Sequence, residues 1–191
     1  MTQDRAPRQA VKLTGAALLK GGTTLHLTIL DLSYDGCKVQ GATRLGLGSE
    51  MALTIAGLDT ALEAVVRWSK GDTAGLQFRH PAEEEQAPGH PPRESERIKL
   101  SGSLSLRRPG RSHYTVRMFD LAPTGCKVEF VERPKLGETL WAKFEGLEAI
   151  EAVVRWVDGF YGGIEFVRPM HPGVFAILLR KLRPGDASSS G

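Results

Sequence analysis

A short polar segment with ligand-binding chemistry occurs twice in this sequence. Residues 31–39 read DLSYDGCKV, and residues 120–128 read DLAPTGCKV. Each copy places a carboxylate, which accepts hydrogen bonds, ahead of a glycine, which lets a backbone approach a flat molecule. Arginines lie ahead of each copy, and their guanidinium groups can bind phosphate bidentately. These clusters are compatible with a small anionic ligand. The two segments begin at Asp31 and Asp120, and the arginines ahead of them are Arg5 and Arg8 in the first copy and Arg93 and Arg97 in the second.

The same residues also have a structural interpretation that involves no ligand. Asp31 and Asp120 can cap turns through Asx hydrogen bonds, and Ser33 can do likewise. The two glycines can be present only to supply a positive φ. The arginines can be solvated charges in flexible segments, as most arginines in such places are.

Two tryptophans, Trp68 and Trp156, fall on the apolar face of a predicted strand in each half of the chain. This position predicts that they pack in the core. The arginine before each tryptophan falls on the opposite face of the strand, near a glutamate, which predicts an exposed ion pair of little energetic weight. The predicted pairs are Arg67 with Glu63 and Arg155 with Glu151.

The surrounding elements repeat as well, so the chain contains an internal duplication. IKLSGSLSL (98–106) matches VKLTGAALL (11–19), and AIEAVVRW (149–156) matches ALEAVVRW (61–68). Alternating apolar residues predict about six short strands in each unit. Six short antiparallel strands favour a small closed β-barrel, because closure removes exposed sheet edges. After Pro172, apolar residues at helical spacing predict a C-terminal helix packed on the second barrel or on its neighbour.

Length and composition predict the domain organisation. The 191 residues suit one ordinary globular domain or two small ones, each of the two near the lower limit for an independent core. Proline, glycine and glutamate interrupt the apolar pattern after residue 80, as they would in an interdomain linker. We therefore expect a first domain at 1–80, an acidic proline-rich linker at 81–96, a second domain with its helix at 97–184, and a disordered tail at 185–191.

The sequence argues against several classes of protein. A formal net charge of +3 is modest for a DNA-binding protein. No apolar run is long enough to cross a bilayer and the N-terminus lacks a signal peptide, so we expect a cytoplasmic protein without membrane insertion. Cys37 and Cys126 have no CxxC partner or nearby histidine, which predicts small buried residues and no metal site. We find no nucleophile elbow, P-loop or convincing carboxylate pair, and expect no enzymatic activity.

Taken together, these features resemble the PilZ domain, a family of bacterial receptors for cyclic di-GMP. The resemblance rests on arginines ahead of a first strand, a second strand ending in Asp-x-Ser-x-x-Gly, a VVRW strand and a Gly-x-x-Phe segment. It covers nearly the whole chain, as two copies. The resemblance implies a mostly β fold of two tandem PilZ-like split barrels, antiparallel throughout, with the C-terminal helix on the second.

In the family, an Arg-x-x-x-Arg arm and the Asp-x-Ser-x-x-Gly strand clamp the dinucleotide together. The chemistry is consistent with this role, because guanidinium groups bind phosphates, reach guanine O6 and N7, and stack on base faces. A short carboxylate can accept hydrogen bonds from guanine N1–H and N2–H₂, and a serine hydroxyl can donate or accept nearby.

Each copy departs from the family motif in a different place. The first copy has the complete strand signature, with Asp31, Ser33 and Gly36, but Asp4 stands where the first arginine of the arm belongs and Arg5 is one position out of register. The second copy has the arm spacing, from Arg93 to Arg97, but an alanine replaces the serine of its strand. The ligand-binding residues that the resemblance implies are Arg5, Arg8, Asp31, Ser33 and Gly36 in the first copy, and Arg93, Arg97, Asp120 and Gly125 in the second.

The resemblance implies a non-catalytic cyclic di-GMP receptor or adaptor that binds ligand mainly through the first domain. Another protein is expected as the effector target, with no nucleic acid partner, metal or additional cofactor. The alternative is a degenerate PilZ protein that binds no nucleotide and acts as a protein–protein interaction module. Non-specific nucleic-acid binding is a third hypothesis, which the modest charge disfavours.

Overall fold

Residues 12–80 and 97–183 are described by the structure, a computed structural model. They form two closed six-stranded antiparallel barrels and one helix, which confirms the predicted mostly β architecture. The predicted linker at 81–96 and the predicted tail lie outside the described residues. The first barrel contains β1 (Leu13–Leu19), β2 (Thr24–Leu32), β3 (Gly36–Gln40), β4 (Glu50–Ile55), β5 (Leu62–Lys70) and β6 (Thr73–Phe78), and the second contains β7 (Ile98–Arg107), β8 (His113–Ala122), β9 (Gly125–Glu129), β10 (Thr139–Lys143), β11 (Ile150–Asp158) and β12 (Tyr161–Phe166), followed by α1 (Pro172–Leu182).

Both barrels have the same strand order. In the first barrel the order is β1-β2-β3-β6-β5-β4, and β4 pairs with β1 to close it. In the second barrel the order is β7-β8-β9-β12-β11-β10, closed by the pairing of β10 with β7. Every strand of the first barrel therefore has an equivalent in the second, as the duplication predicts.

Two β-bulges that the barrels have in common reverse the faces of strand residues. In β2, Leu27 and Ile29 are buried, but the register shifts between Ile29 and Asp31, so Leu32 becomes the next buried residue. In β5, the register shifts between Val66 and Trp68. The second barrel has the same shifts, between Met118 and Asp120 and between Val154 and Trp156. Since a bulge adds one residue to one strand, the residues after it turn to the opposite face of the sheet.

The two cysteines are equivalent residues of β3 and β9, and both are buried. Cys37 is 5% exposed and Cys126 is 1% exposed, so the prediction of small buried residues is confirmed. Burial raises the pKa of the Cys37 thiol to about 12, and it raises the pKa of Cys126 as well. Both thiols therefore stay protonated at neutral pH and are poor nucleophiles.

The two barrels meet along the first polar segment. Leu32, at the end of β2, forms a parallel bridge with Leu147, and its carbonyl accepts a hydrogen bond from the Glu148 amide at 2.8 Å. The next contact is made by Tyr34, whose carbonyl accepts a hydrogen bond from the His171 amide at 2.6 Å. Tyr34 also contacts Arg168 through its hydroxyl and its ring. The turn that carries the first motif is thus held by the second barrel.

Helix α1 completes this junction. His171 is its N-cap residue and accepts a hydrogen bond at Nδ1 from the Gly173 amide at 3.1 Å. The other ring nitrogen, Nε2, therefore carries the proton and donates to the Arg79 carbonyl at 2.9 Å. His171 is 3% exposed and packs against Phe78, with 5.3 Å between ring centroids. The predicted helix is confirmed, and it packs on both barrels.

We expect acidification to weaken the folded protein through His171. Burial has the largest effect and lowers the pKa of this imidazole. The hydrogen bond to the Arg79 carbonyl opposes it, and smaller effects come from His80, which lowers the pKa, and from Asp35, which raises it. The unfolded chain therefore takes up the proton at a higher pH than the folded chain does. The stabilisation is complete above the unfolded pKa of about 6.5, and it is lost as the pH falls from there through the folded pKa.

The loss should reach about 1 kcal/mol, the typical value of a helix N-cap, because a protonated imidazole no longer accepts the Gly173 hydrogen bond. Urea unfolding of wild type and His171→Asn at pH 7.5 and 5.5 would measure it, since asparagine keeps a cap acceptor but does not titrate. His26→Asn, at an exposed histidine of β2, is the control. Equal pH dependence of wild type and His171→Asn would contradict the prediction.

Candidate ligand-binding site

The bulges create a row of four side-chain positions across the outer face of the first barrel. Asp31 of β2 pairs with Lys38 of β3, which pairs with Gly75 of β6, which in turn pairs with Trp68 of β5. The bulge in β2 turns Asp31 outward, and the bulge in β5 does the same for Trp68. The row places a carboxylate, an ammonium group and an indole ring side by side on one surface.

The second barrel carries the same row at equivalent positions. Asp120 pairs with Lys127, Lys127 pairs with Gly163, and Gly163 pairs with Trp156. The repeated polar segments therefore supply the carboxylate and lysine of each row, and the VVRW strands supply the tryptophan.

The prediction that the tryptophans pack in the core is wrong. Trp68 is 43% exposed and Trp156 is 36% exposed, because the bulge before each ring rotates it to the outer face. The Trp68 indole lies flat over Gly75, where a Cβ atom would come within 2.0 Å of its Nε1. Lys38 Nζ is 5.9 Å from the ring centroid, within the range of a cation–π contact. In the sequence, the signal for this outward position was the glycine that faces each tryptophan, Gly75 or Gly163.

A chain of side-chain hydrogen bonds connects the first motif to the barrel. Ser33 Oγ donates to Asp35 Oδ1 at 3.2 Å, and Gln77 Nε2 donates to Asp35 Oδ2 at 3.0 Å. Arg67 Nε in turn donates to Gln77 Oε1 at 2.5 Å. These hydrogen bonds hold the Ser33 side chain in place, two residues after Asp31. Sequence reasoning did not predict that Asp35, Gln77 and Arg67 would support it.

The predicted ion pairs of Arg67 with Glu63 and of Arg155 with Glu151 are wrong, because both arginines contact a different partner. Arg67 bonds Gln77 of β6, and Arg155 forms an ion pair with Glu165 of β12, with 2.7 Å between Nε and Oε2. The reason is again the bulge, since each arginine is the extra residue between the two shifted pairs. It therefore reaches sideways to the neighbouring strand instead of along its own.

The interpretation that Gly36 and Gly125 are present only to supply a positive φ is wrong. Neither Gly36 nor Gly125 is among the glycines with positive φ. A Cβ atom on Gly36 would lie 2.2 Å from the Leu76 carbonyl oxygen, and one on Gly125 would lie 2.2 Å from the Ile164 carbonyl oxygen. Both glycines allow close contact between the motif strand and the next strand of the sheet.

A cavity of about 360 Å³ lies over the row of the first barrel, within the usual size range of small-molecule sites. Its charged groups are three carboxylates, of Asp31, Asp35 and Glu148, and the two cations of Lys38 and Arg67. Glu148 belongs to the second barrel, in the turn before β11. Side chains that line the cavity include Asp31, Ser33, Lys38, Trp68, Gln77 and Glu148.

Both halves of the chain match the same known protein family. Residues 2–87 and residues 91–183 each match the PilZ domain. The chain belongs to the PilZ domain family. It is a tandem PilZ protein, since both halves match.

Solved structures with a similar arrangement are distant in sequence. PlzA of Borreliella burgdorferi, in complex with c-di-GMP, is 16% identical, with 90% of this chain and 88% of that chain covered and a TM-score of 0.36. The inhibitor of motility MotI (DgrA) of Bacillus subtilis is 14% identical, with coverages of 92% and 96% and a TM-score of 0.35. YcgR of Escherichia coli, in complex with c-di-GMP, is 14% identical, with coverages of 91% and 83% and a TM-score of 0.33. The chain matches no curated protein sequence.

The arm residues of the PilZ motif are only partly described. Arg5, Arg8 and Arg93 lie outside the described residues. Arg97 immediately precedes β7, and its NH1 lies 3.8 Å from Asp120 Oδ2, so the arm and strand of the second motif come together. The Arg97 side chain is 58% exposed and the Asp120 side chain is 17% exposed.

The second PilZ motif is more fully occupied by its own side chains than the first. Asp120 Oδ1 accepts the Lys127 amide at 2.8 Å, whereas among the described residues Asp31 Oδ1 accepts a hydrogen bond only from its neighbour, the Leu32 amide, at 3.0 Å. Lys127 Nζ lies 5.8 Å from the Trp156 ring centroid and 5.4 Å from that of Tyr161. A threonine occupies the position of Tyr161 in the first PilZ domain. The second site therefore has less free surface for a flat ligand.

The PilZ barrels show no feature of a metal protein or a membrane span in the parts that are described. Between 12 and 80 and between 97 and 183, no three His, Cys, Asp or Glu side chains are grouped so that they could hold a metal ion. In these same ranges, no helix has both the length and the apolar character needed to cross a bilayer.

Proposed function

We propose that this protein is a non-catalytic receptor for cyclic di-GMP that binds its ligand at the outer face of the first barrel. The observation that carries the proposal is the row of Asp31, Lys38, Gly75 and Trp68 beneath a 360 Å³ cavity. Membership of the PilZ family supports the ligand class. Cytoplasmic residence and an effector protein as partner stay predictions.

Each group in the row has chemistry suited to this dinucleotide. The Trp68 ring offers an exposed aromatic face on which a guanine stacks. Asp31 is an acceptor for the N1–H and N2–H₂ donors of guanine, and Ser33 beside it donates or accepts one further hydrogen bond. Lys38 supplies a positive charge within reach of a phosphate. Gly75 keeps the floor of the site flat, because it places no Cβ atom beneath the indole.

The charge of the cavity makes the N-terminal arm necessary. Among the cavity residues, three carboxylates stand against two cations, which is unfavourable for a ligand that carries two phosphate charges. The arginines Arg5 and Arg8 would reverse this balance if they closed over the ligand, as the family motif implies. The arm is therefore proposed as the main source of phosphate affinity.

The second domain is proposed as a weaker site or a structural partner. Ala122 removes the serine hydroxyl, and Tyr161 occupies part of the surface beside Lys127. The candidate residues there are Arg93, Arg97, Asp120 and Gly125, and only the Arg97–Asp120 contact is described. We expect one ligand, or one stacked ligand dimer, per chain.

Calorimetric titration of the full chain with cyclic di-GMP, with GTP and cyclic AMP as control ligands, would test the proposal. Trp68→Ala should weaken binding about tenfold or more, the usual contribution of a base stacked on an aromatic ring. The matched control is Trp156→Ala, which removes the equivalent ring of the second barrel. Absence of binding by the wild type would refute the receptor function, and equal effects of the two variants would refute the choice of the first barrel.

A role as a protein interaction module has one observation in its favour. The second barrel exposes large apolar side chains at one end, with Phe160 57%, Val131 62% and Tyr161 41% exposed. The equivalent positions of the first barrel are Asp72, Ala42 and Thr73. Clusters of exposed apolar residues mark protein–protein contacts, so this end of the second barrel is the proposed contact with an effector protein.

A further inference from the structure

The cavity of the first barrel includes one side chain from the second barrel. Glu148 lies in the turn between β10 and β11 and contributes to the lining together with Asp31. The backbone fixes its position, because the Glu148 amide donates to the Leu32 carbonyl at 2.8 Å and Leu147 forms a bridge with Leu32. Asp31 directly precedes Leu32, so the two carboxylates flank the same interbarrel hydrogen bond.

This position of Glu148 does not depend on its side chain. The interbarrel contacts nearby are made by the backbone amide of Glu148, by Leu147, and by the Tyr34 carbonyl with the His171 amide. The Glu148 carboxylate forms no ion pair with the described residues, so it is available to a ligand in the cavity.

We propose that Glu148 reads the second guanine of cyclic di-GMP, so that the first-barrel site is completed by the second barrel. This inference rests on the proposed function. Cyclic di-GMP presents two guanines, and each has an edge with N1–H and N2–H₂ donors that a carboxylate accepts as a pair. Asp31 from one barrel and Glu148 from the other provide one acceptor for each guanine. The specificity of the site therefore depends on both halves of the chain.

A change in affinity alone would not test this role. A third carboxylate in the cavity also repels the phosphates of any cyclic dinucleotide, so removing its charge has an opposite electrostatic effect. The repulsion is the same for two ligands with the same phosphates and different bases. The ratio of their dissociation constants therefore isolates the reading of the base.

The ligands to compare are cyclic di-GMP and 3′,3′-cyclic GMP–AMP, which differ only in the replacement of one guanine by adenine. We expect the wild type to prefer cyclic di-GMP at least about fivefold, the lower limit for a paired base contact. In Glu148→Gln this preference should fall to about the twofold that the symmetry of the ligand provides. Glu145→Gln is the matched control, because Glu145 lies in the same turn but does not line the cavity. Thermal unfolding of the three proteins would show whether they are equally folded.

The outcomes separate this inference from the proposed function. A wild type that binds cyclic di-GMP but does not prefer it, or a Glu148→Gln variant that keeps the full preference, would overturn the role of Glu148 and leave the receptor function intact. A parallel change in both affinities would show that Glu148 acts only through its charge, and it would overturn the inference as well. A wild type that binds neither ligand would remove the proposed function, and the inference with it.

Discussion

Replacing both Arg8 and Asp31 by alanine is expected to abolish measurable binding of cyclic di-GMP. In the proposed site Asp31 would accept the paired donors of one guanine, and losing such a contact costs about 1–3 kcal/mol, or about 5- to 150-fold in affinity. Arg8 is proposed to make a charge-assisted bidentate contact to a phosphate, and such contacts are among the strongest in proteins. Since the described part of the cavity has more carboxylates than cations, no other group there replaces Arg8.

Calorimetry on the double variant and on each single variant would measure these effects. Arg97→Ala combined with Asp120→Ala is the matched control, because it removes the equivalent pair from the second motif. We expect the control to bind within about threefold of the wild type and with the same stoichiometry. If instead the first-motif variant kept its affinity and the second-motif variant lost it, the two barrels would have exchanged the proposed roles.

Replacing Gly36 or Gly125 by alanine is expected to destabilise its barrel by about 3 kcal/mol or more. The added methyl group would lie 2.2 Å from a main-chain carbonyl oxygen of the paired strand, and neither strand can move without disrupting the closed barrel. Overpacking of this kind costs about 1–3 kcal/mol where side chains can adjust, and more where only backbone is in contact.

Denaturant unfolding of Gly125→Ala is the cleaner measurement, because Gly36 also belongs to the proposed binding motif. Gly21→Ala is the control, since a Cβ atom at Gly21 meets nothing within 4 Å. It should change the free energy of unfolding by less than about 0.5 kcal/mol. A loss of less than about 1 kcal/mol in Gly125→Ala would mean that β9 and β12 can separate at this point without breaking the barrel.

The duplicated barrels could be predicted because their signals are local and repeated. Three sequence signals place the strands near their observed positions: the alternation in Thr24–Leu30, the two Gly-Cys-Lys-Val segments and the two VVRW strands. The C-terminal helix was predictable from Pro172 and the spacing of the apolar residues after it. Here local preference and global fold agree, which is the condition under which sequence patterns are informative.

The site was only partly predictable, because its geometry depends on the bulges. Strict alternation places Trp68 on the same face as Val66, and nothing in a single sequence shows that the register shifts between them. The same error assigned Arg67 to Glu63 instead of Gln77. Glu148 was not predictable at all, since it reaches the cavity from the other barrel, more than one hundred residues along the chain. Contacts between domains depend on docking, for which local patterns contain no signal.

The position of α1 limits the exchange of either barrel for that of another protein. The start of the helix is seated on the first barrel, where Gly173 contacts Leu62 and His171 contacts Phe78, although it follows the second barrel in the chain. The first barrel of this duplicated chain is thus covered in part by a helix that lies at the C-terminal side of the second barrel in the sequence. Exchange of the second half for a foreign barrel would leave Leu62 and Phe78 uncovered, and exchange of the first half would remove the residues on which the start of the helix packs. Each barrel therefore depends on the other for a matching surface at this junction.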